Sequence, residues 1–193
     1  MQTLLAEVKR SLMAILALAI LCCALYPALV WAIGQVLFPS QADGSLLKRG
    51  SQIAGSDLLA QRFTDSKYFH PRPSCAGDGY DATSSGGSNL GPLSKKLMED
   101  VAARVKAYRE ENGLRPDASV PADAVEASGS GLDPHISQEN ALLQAPRVAT
   151  SRGVPVEAVK KKVIERTEGR TLGFMGEPRV NVLLLNQALD EGR

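Results

Sequence analysis

The chain has 193 residues, a formal net charge of +1 and only 5% aromatic residues. That balance excludes a strongly basic nucleic-acid-binding surface and leaves little material for base stacking. With two of the three cysteines adjacent at 22 and 23, the rest of the chain has no disulfide framework.

From Ser11 to Phe38 there is no charged residue, and the bounding charges are Arg10 and Asp43. A bilayer-spanning helix needs about 20 mostly apolar residues at about 1.5 Å rise each. Residues 11–38 are therefore read as one transmembrane helix, 1–10 as a cytoplasmic segment and 39–193 as one soluble extracytoplasmic domain. Val30-Trp31-Ala32 loosely fits a signal cleavage site, but the run continues to Phe38 and exceeds a signal core, so an uncleaved anchor is expected. Lys9 and Arg10 abut one end of the run, whereas Lys48 and Arg49 stand well beyond the other, which places the N-terminus inside. Pro27 removes one backbone donor, a loss that neighbouring groups are expected to absorb. Ala14, Ala17, Ala24, Ala28 and Gly34 are small enough to admit a partner helix, or they face lipid.

Residues 39–43 read as a linker. Residues 44–47 and 52–59 read as short strands around a turn at 48–50. Lys67 to His70 suggests an edge strand, ended by Pro71 and Pro73. Residues 74–93 form a long loop of Gly, Ser, Asp and Asn, the kind that is functional or disordered. Leu97, Val101, Val105 and Tyr108 then give one helical stripe, with Ser94 as N-cap and Asn112-Gly113 as stop. After a loop over 114–119, residues 124–127 suit a short turn of helix or strand, and 128–135 a second tight loop. Ser137 is expected to cap a helix of about eight residues that stops before Pro146; Pro146 opens the next, which Gly153 ends. A further helix carries Val156, Val159, Val163 and Ile164 on one face. Residues 169–178 are a loop, and 181–190 a terminal core helix in preference to a strand. The fold class is α+β: one transmembrane helix, then a single loop-rich domain.

Two clusters invite chemistry. Ser84-Ser85-Gly86-Gly87-Ser88-Asn89-Leu90-Gly91 precedes a helix, where glycines and free N–H groups suit phosphate. The Lys-Ser/Thr end of a phosphate loop is absent and no buried strand leads in, so a loop packed on its own domain or a partner is the leading reading. Ser128, Ser130, Asp133 and His135 resemble hydrolase parts, but four residues in one tight loop rarely make a working triad, and there is no Gly-x-Ser-x-Gly elbow. Asp133 and Ser130 are expected to bond loop amides, with His135 filling a polar corner. His70, His135 and Cys75 lack metal-ligand spacing, and Lys160 to Lys162 suits a solvated helix face.

Several long motifs occur in one order: Tyr68-Phe69-His70-Pro71-Arg72-Pro73-Ser74, Tyr80-Asp81-Ala82, Ser85 to Pro92, Ala127 to Ser137, Pro146-Arg147-Val148-Ala149, Leu172-Gly173-Phe174 and Gly176 to Leu183. Together they closely resemble the C subunits of the bacterial Kdp potassium-transporting ATPase, over nearly the whole chain. The resemblance implies a non-catalytic accessory subunit in the cell (inner) membrane. The implied partners are a channel-like potassium-carrier A subunit, a P-type ATPase B subunit and a small F subunit. It also implies a role as catalytic chaperone, raising the B subunit's affinity for ATP. In that family the Ser-Gly-Gly loop is likened to the Leu-Ser-Gly-Gly-Gln signature of ABC transporters, which points to Ser85, Gly86, Gly87, Ser88 and Asn89 as a nucleotide or partner loop. Here Ser84 stands for the Leu and Ser88 for the Gln. With the N-terminus inside, this loop faces away from cytoplasmic ATP, so an indirect effect through linkage is expected. Asp81, Asp123, Glu126 and Asp133 are a candidate cation-attracting surface.

Overall fold

The computed structural model describes residues 2–50 and 52–192. Met1 and Arg193, the outer ends of the expected 1–10 segment and 39–193 domain, lie outside the described residues, as does Ser51. The chain forms two compact units, 1–56 and 57–193.

The first unit is dominated by a helix of 35 residues, Thr3–Leu37, whose most apolar 18-residue stretch has mean hydropathy 2.5, long and apolar enough to cross a membrane. It begins before the apolar run, as α1 (Gln2–Ala19), and closes as α2 (Tyr26–Leu37), with a π-helical stretch at Ile20–Leu25 between them. The interruption has a local cause. Pro27 has no N–H, so the ladder cannot run through it in α register. The Tyr26 N–H instead reaches back five residues to the Leu21 carbonyl, which widens the turn. The expected linker is a single helical turn, α3 (Pro39–Ala42). Gly44 and Ser45 follow with φ of 86° and 49°, so the strand expected from residue 44 begins only at Leu46. β1 (Leu46–Arg49) pairs antiparallel with β2 (Gln52–Ser56), in register Leu46 to Ser56 and Arg49 to Gln52 with one bulge. The turn thus sits at Gly50 (φ 65°), and β2 stops short of the expected residue 59 because a turn begins at Asp57.

The second unit is α+β. Its elements are α4 (Lys95–Glu111), α5 (Ala122–Val125), β3 (His135–Ser137), α6 (Gln138–Arg152), α7 (Val156–Glu165), β4 (Thr167–Glu168), β5 (Arg179–Asn181) and α8 (Val182–Asp190). β5 lies between β3 and β4, antiparallel to both. Ile136 faces Val180 across the ladder, and both join a core with Val148, Val159, Val163, Val182 and Leu185. Ser94, Ser137 and Asn181 cap α4, α6 and α8, each accepting from the N–H three residues on. Gly113 and Gly153 follow α4 and α6 in the left-handed region, φ 62° and 66°.

Three sequence expectations fail here, each for a tertiary reason. Pro146 does not divide two helices but lies inside α6; Ala145, Val148 and Ala149 on both sides of it are fully buried on one face, and that packing holds the helix through the missing bond. Ile164 lies off the buried face of α7: Val159 and Val163 are buried while Ile164 is 58% exposed, since adjacent residues lie about 100° apart on a helix. Lys67 to His70 is not a strand, because side-chain amides take the place of a neighbouring strand. The Phe69 N–H donates to Asn186 Oδ1 (2.8 Å), and Asn186 Nδ2 donates back to the Phe69 carbonyl (3.0 Å). Gln144 repeats this at His70, with distances of 2.8 and 3.1 Å. The chain at Phe69 and His70 is thus pinned between α6 and α8, with the Phe69 ring wholly buried.

Candidate functional site

The two glycine-rich loops meet. The Gly86 N–H and the Ser85 hydroxyl both donate to the Ser130 carbonyl, each at 2.9 Å. Gly87 lies so close to Gly129 that a Cβ on it would sit 3.0 Å from the Gly129 carbonyl oxygen. Gly131, at φ 69°, is tighter still: a Cβ there would lie 2.7 Å from both Ala76 N and Gly86 O. The Ser128 N–H donates to Pro73 O (3.3 Å), tying the second loop to the start of the first. Within the first loop, Ser74 Oγ accepts from the amides of Ala76 (3.2 Å) and Tyr80 (2.7 Å), and Tyr80 Oη donates to Arg72 O (2.9 Å).

Of the residues singled out in the sequence, Ser85, Gly86 and Gly87 are thus engaged with the other loop. Ser88 lines an open depression of about 380 Å³ with Cys75, Lys96, Asp100 and Arg104. Asn89 is exposed with φ 51°, a conformation that asparagine tolerates better than most residues.

The hydrolase-like residues hold the loop's shape. Ser130 Oγ accepts from the Leu132 N–H (3.1 Å), and Asp133 Oδ1 from the His135 N–H (3.0 Å), as expected for a turn. Arg72 pairs with Asp133 at 3.1 Å. Ser128 is buried, and among the described residues neither serine hydroxyl bonds the His135 ring. Three of the four carboxylates read as cation-attracting have internal donors. Asp81 accepts from Thr83, and Asp133 from Arg72 and His135; Asp123 accepts from Ser137 N (2.7 Å), Ser137 Oγ (3.0 Å) and Asn140 Nδ2 (3.0 Å).

A buried polar spine that sequence reasoning missed joins these parts. Tyr108 Oη donates to Asn140 Oδ1 (2.8 Å), and Gln144 Nε2 donates to the same oxygen (2.9 Å). Burial raises the Tyr108 phenol well above its ordinary range. Arg147, its side chain 7% exposed, donates to Asn112 Oδ1, Gln144 Oε1 and the carbonyls of Ser66 and Tyr68. Its charge faces Glu111 at 3.6 Å, and Glu111 also pairs with His70 Nδ1 at 2.7 Å. The available signal was spacing: Asn140, Gln144 and Arg147 fall at i, i+4 and i+7 on the α6 face that also carries Ala141, Ala145 and Val148.

These carboxylates set an acid limit. The His70 hydrogen bond holds Glu111 below its ordinary pKa. Burial pushes Asp133 up, but bonds from His135 and Arg72 outweigh it and leave it lowered. A carboxyl group lowered in the folded state stabilises above its unfolded pKa, about 3.9 for Asp and 4.3 for Glu, and this is lost as pH falls through the folded value. The thermal midpoint of the full chain should therefore fall as pH drops below about 4.3, and Glu111→Gln should flatten that fall. An equally steep profile in the variant would remove Glu111 from the account.

Fold and site together define a membrane-associated chain, with one apolar helix and a loop-rich α+β unit whose polar clusters organise the fold. Residues 8–191 match the family model described as KdpC, K+-transporting ATPase, c chain, and the chain belongs to this family. Among similar proteins, the potassium-transporting ATPase KdpC subunit of Mycobacterium tuberculosis is 57% identical over 165 residues, covering 86% of this chain and 87% of that protein. The subunit of the same name from Rhodospirillum rubrum is 52% identical over 188 residues, 97% of each chain. That from Nitratidesulfovibrio vulgaris is 52% identical over 186 residues, 95% of this chain and 93% of the other. Membership makes the chain a subunit of an assembly and not its catalytic one.

Proposed function

We propose that the chain is an accessory and assembly subunit of an ATP-driven potassium import complex, held in the cell (inner) membrane by its single helix. The observation that carries this is the family match across residues 8–191. The implied neighbours are the potassium-carrier A subunit, the P-type ATPase B subunit and the small F subunit. Leu172, Phe174 and Met175 support a partnered surface. They stand 79%, 72% and 51% exposed within one short turn, and clustered exposed apolar side chains mark interaction sites. Purifying the chain in mild detergent should bring the transport and ATPase polypeptides with it; a chain that emerges alone removes the reading.

The N-terminus lies inside and the globular unit outside the cytoplasm, on the placement of Lys9 and Arg10. A membrane-impermeant maleimide should label the partly exposed Cys75 in intact cells, and Cys75→Ser should abolish labelling. Labelling that appears only after permeabilisation reverses the orientation.

Higher ATP affinity of the catalytic subunit then arises by linkage. The chain binds one conformation of its partners better than another, and ATP affinity shifts by no more than that difference. Ser85 to Asn89 serve this reading as a partner loop. Ser85 Oγ and the Gly86 N–H are already committed to Ser130, and Ser88 and Asn89 are the members left outward.

A further inference from the structure

The apolar helix carries a defect that its own chain does not repair. The Tyr26 N–H, the α-helical donor for Cys22 O, goes instead to Leu21 O. The π-helical donor for Cys22 O would be residue 27, which is proline and has no N–H. Cys22 O is therefore without a backbone donor, and Cys23 O has lost its α-helical donor to the same proline. Between Ser11 and Gln35 the sequence contains no Ser, Thr, Asn, Gln, His, Lys or Arg, and no described side chain donates to either carbonyl.

The defect lies mid-way along the Thr3–Leu37 helix, at the depth where hydrocarbon offers no donor. An unsatisfied carbonyl there is strongly disfavoured, and irregular backbone at that depth persists where protein covers it. Resting on the assembly reading above, we propose that the helix face opened at Cys22 and Cys23 docks a transmembrane helix of a different subunit. That helix donates a hydrogen bond to the Cys22 carbonyl from a Ser, Thr, Asn or Gln side chain. The family match makes the chain one subunit of an assembly, so the occupant is a helix of another subunit. A second copy, side by side and parallel, would offer the Tyr26 hydroxyl and weak cysteine thiols near that depth and is an outcome of the test below. Acyl chains donate nothing. Ala19, Ala24 and Ala28, nearby in sequence, add little bulk against a close approach.

Isotope-edited infrared spectroscopy tests this directly. In a Cys75→Ser background, cysteine carrying a 13C=18O carbonyl marks only positions 22 and 23. In the reconstituted complex the labelled band should lie at lower wavenumber than in the isolated full chain in the same lipid. An identical band in both overturns the proposal, whether because nothing donates or because water or a lipid headgroup already does. Pro27→Ala restores a donor within the chain. It should abolish the difference between complex and isolated chain and speed release of the subunit from the detergent-solubilised complex about fivefold to thirtyfold; no change in either overturns the proposal. A photocrosslinker at position 23 should join another subunit, whereas a product with lipid or a second copy overturns it. If the complex purifies intact but the carbonyl is unshifted, this inference alone fails. If the chain does not co-purify, the assembly reading fails and this inference with it.

Discussion

Replacing Asn186 with leucine should destabilise the globular unit by about 2–6 kcal/mol, because two buried backbone groups each lose the one partner they have among the described residues, at about 1–3 kcal/mol apiece. Asn186 is 1% exposed and Phe69 is wholly buried, so water does not replace the lost bonds. Leucine fills a similar volume, which keeps the cavity contribution small and isolates the polar one. For a unit of this size the unfolding midpoint of the full chain should fall by roughly 10 °C or more. The amide of Phe69 should also lose its protection against hydrogen exchange. Gln144→Leu should act in the same direction at His70 and additionally strip Arg147 of an acceptor. By contrast, Lys160→Ala removes only an exposed pair with Glu157 and should cost about 1 kcal/mol or less. If Asn186→Leu proved as mild as that control, the pinning of residues 69 and 70 would not be what holds α6 to α8.

The same contacts explain what could be read from residues alone. Helices α4, α6, α7 and α8 announce themselves locally by a repeat near 3.6, with a Ser or Asn cap on α4, α6 and α8 and a glycine stop after α4 and α6. Ser94, Ser137, Gly113 and Gly153 sit where short-range chemistry places them. The strands were harder because β3, β4 and β5 are two or three residues long, too short for alternation to show, and their partners are distant in sequence. Lys67 to His70 has the composition of a strand, but it leaves a turn closed by the Tyr68 N–H on the Asp65 carbonyl. What it lacks is a neighbouring strand, and no local signal distinguishes a ladder of backbone groups from a ladder of side-chain amides. Pro146 misled for a related reason: local rules end a helix there, whereas Ala145, Val148 and Ala149 make continuity worth more than the missing bond.

The glycine-rich loops show the limit for function. Gly86 and Gly87 before a helix satisfy the composition of a phosphate loop and equally that of two backbones in contact. Only the position of Ser130 decides which donors remain free, and that position depends on a segment more than forty residues away. Family resemblance located the loop within the chain, but its hydrogen bonds show which members face outward.

Gly131→Ala should be the most damaging single change in these loops. The residue sits at φ 69°, where a Cβ costs about 1–2 kcal/mol by itself. The Cβ would also lie 2.7 Å from Ala76 N, 2.7 Å from Gly86 O and 2.8 Å from Ala76 Cβ. Two of these are backbone atoms, so no rotamer change relieves the contact and the two loops must separate. Separation breaks the bonds from Gly86 N and Ser85 Oγ to Ser130 O, and a total near 3–4 kcal/mol is expected on the order of these contributions. Gly129→Ala is the matched control: a Cβ there meets nothing within 4 Å, and its effect should stay within about 1 kcal/mol. Hydrogen exchange at the Gly86 amide should accelerate in the first variant and not in the second. Because Ser88 and Asn89 are carried by the same loop, Gly131→Ala should also reduce retention of the subunit in the solubilised complex, while its apolar helix remains membrane-bound. Full retention despite an opened loop would place the partner contact elsewhere on the globular unit and leave the exposed turn at Leu172, Phe174 and Met175 as its next location.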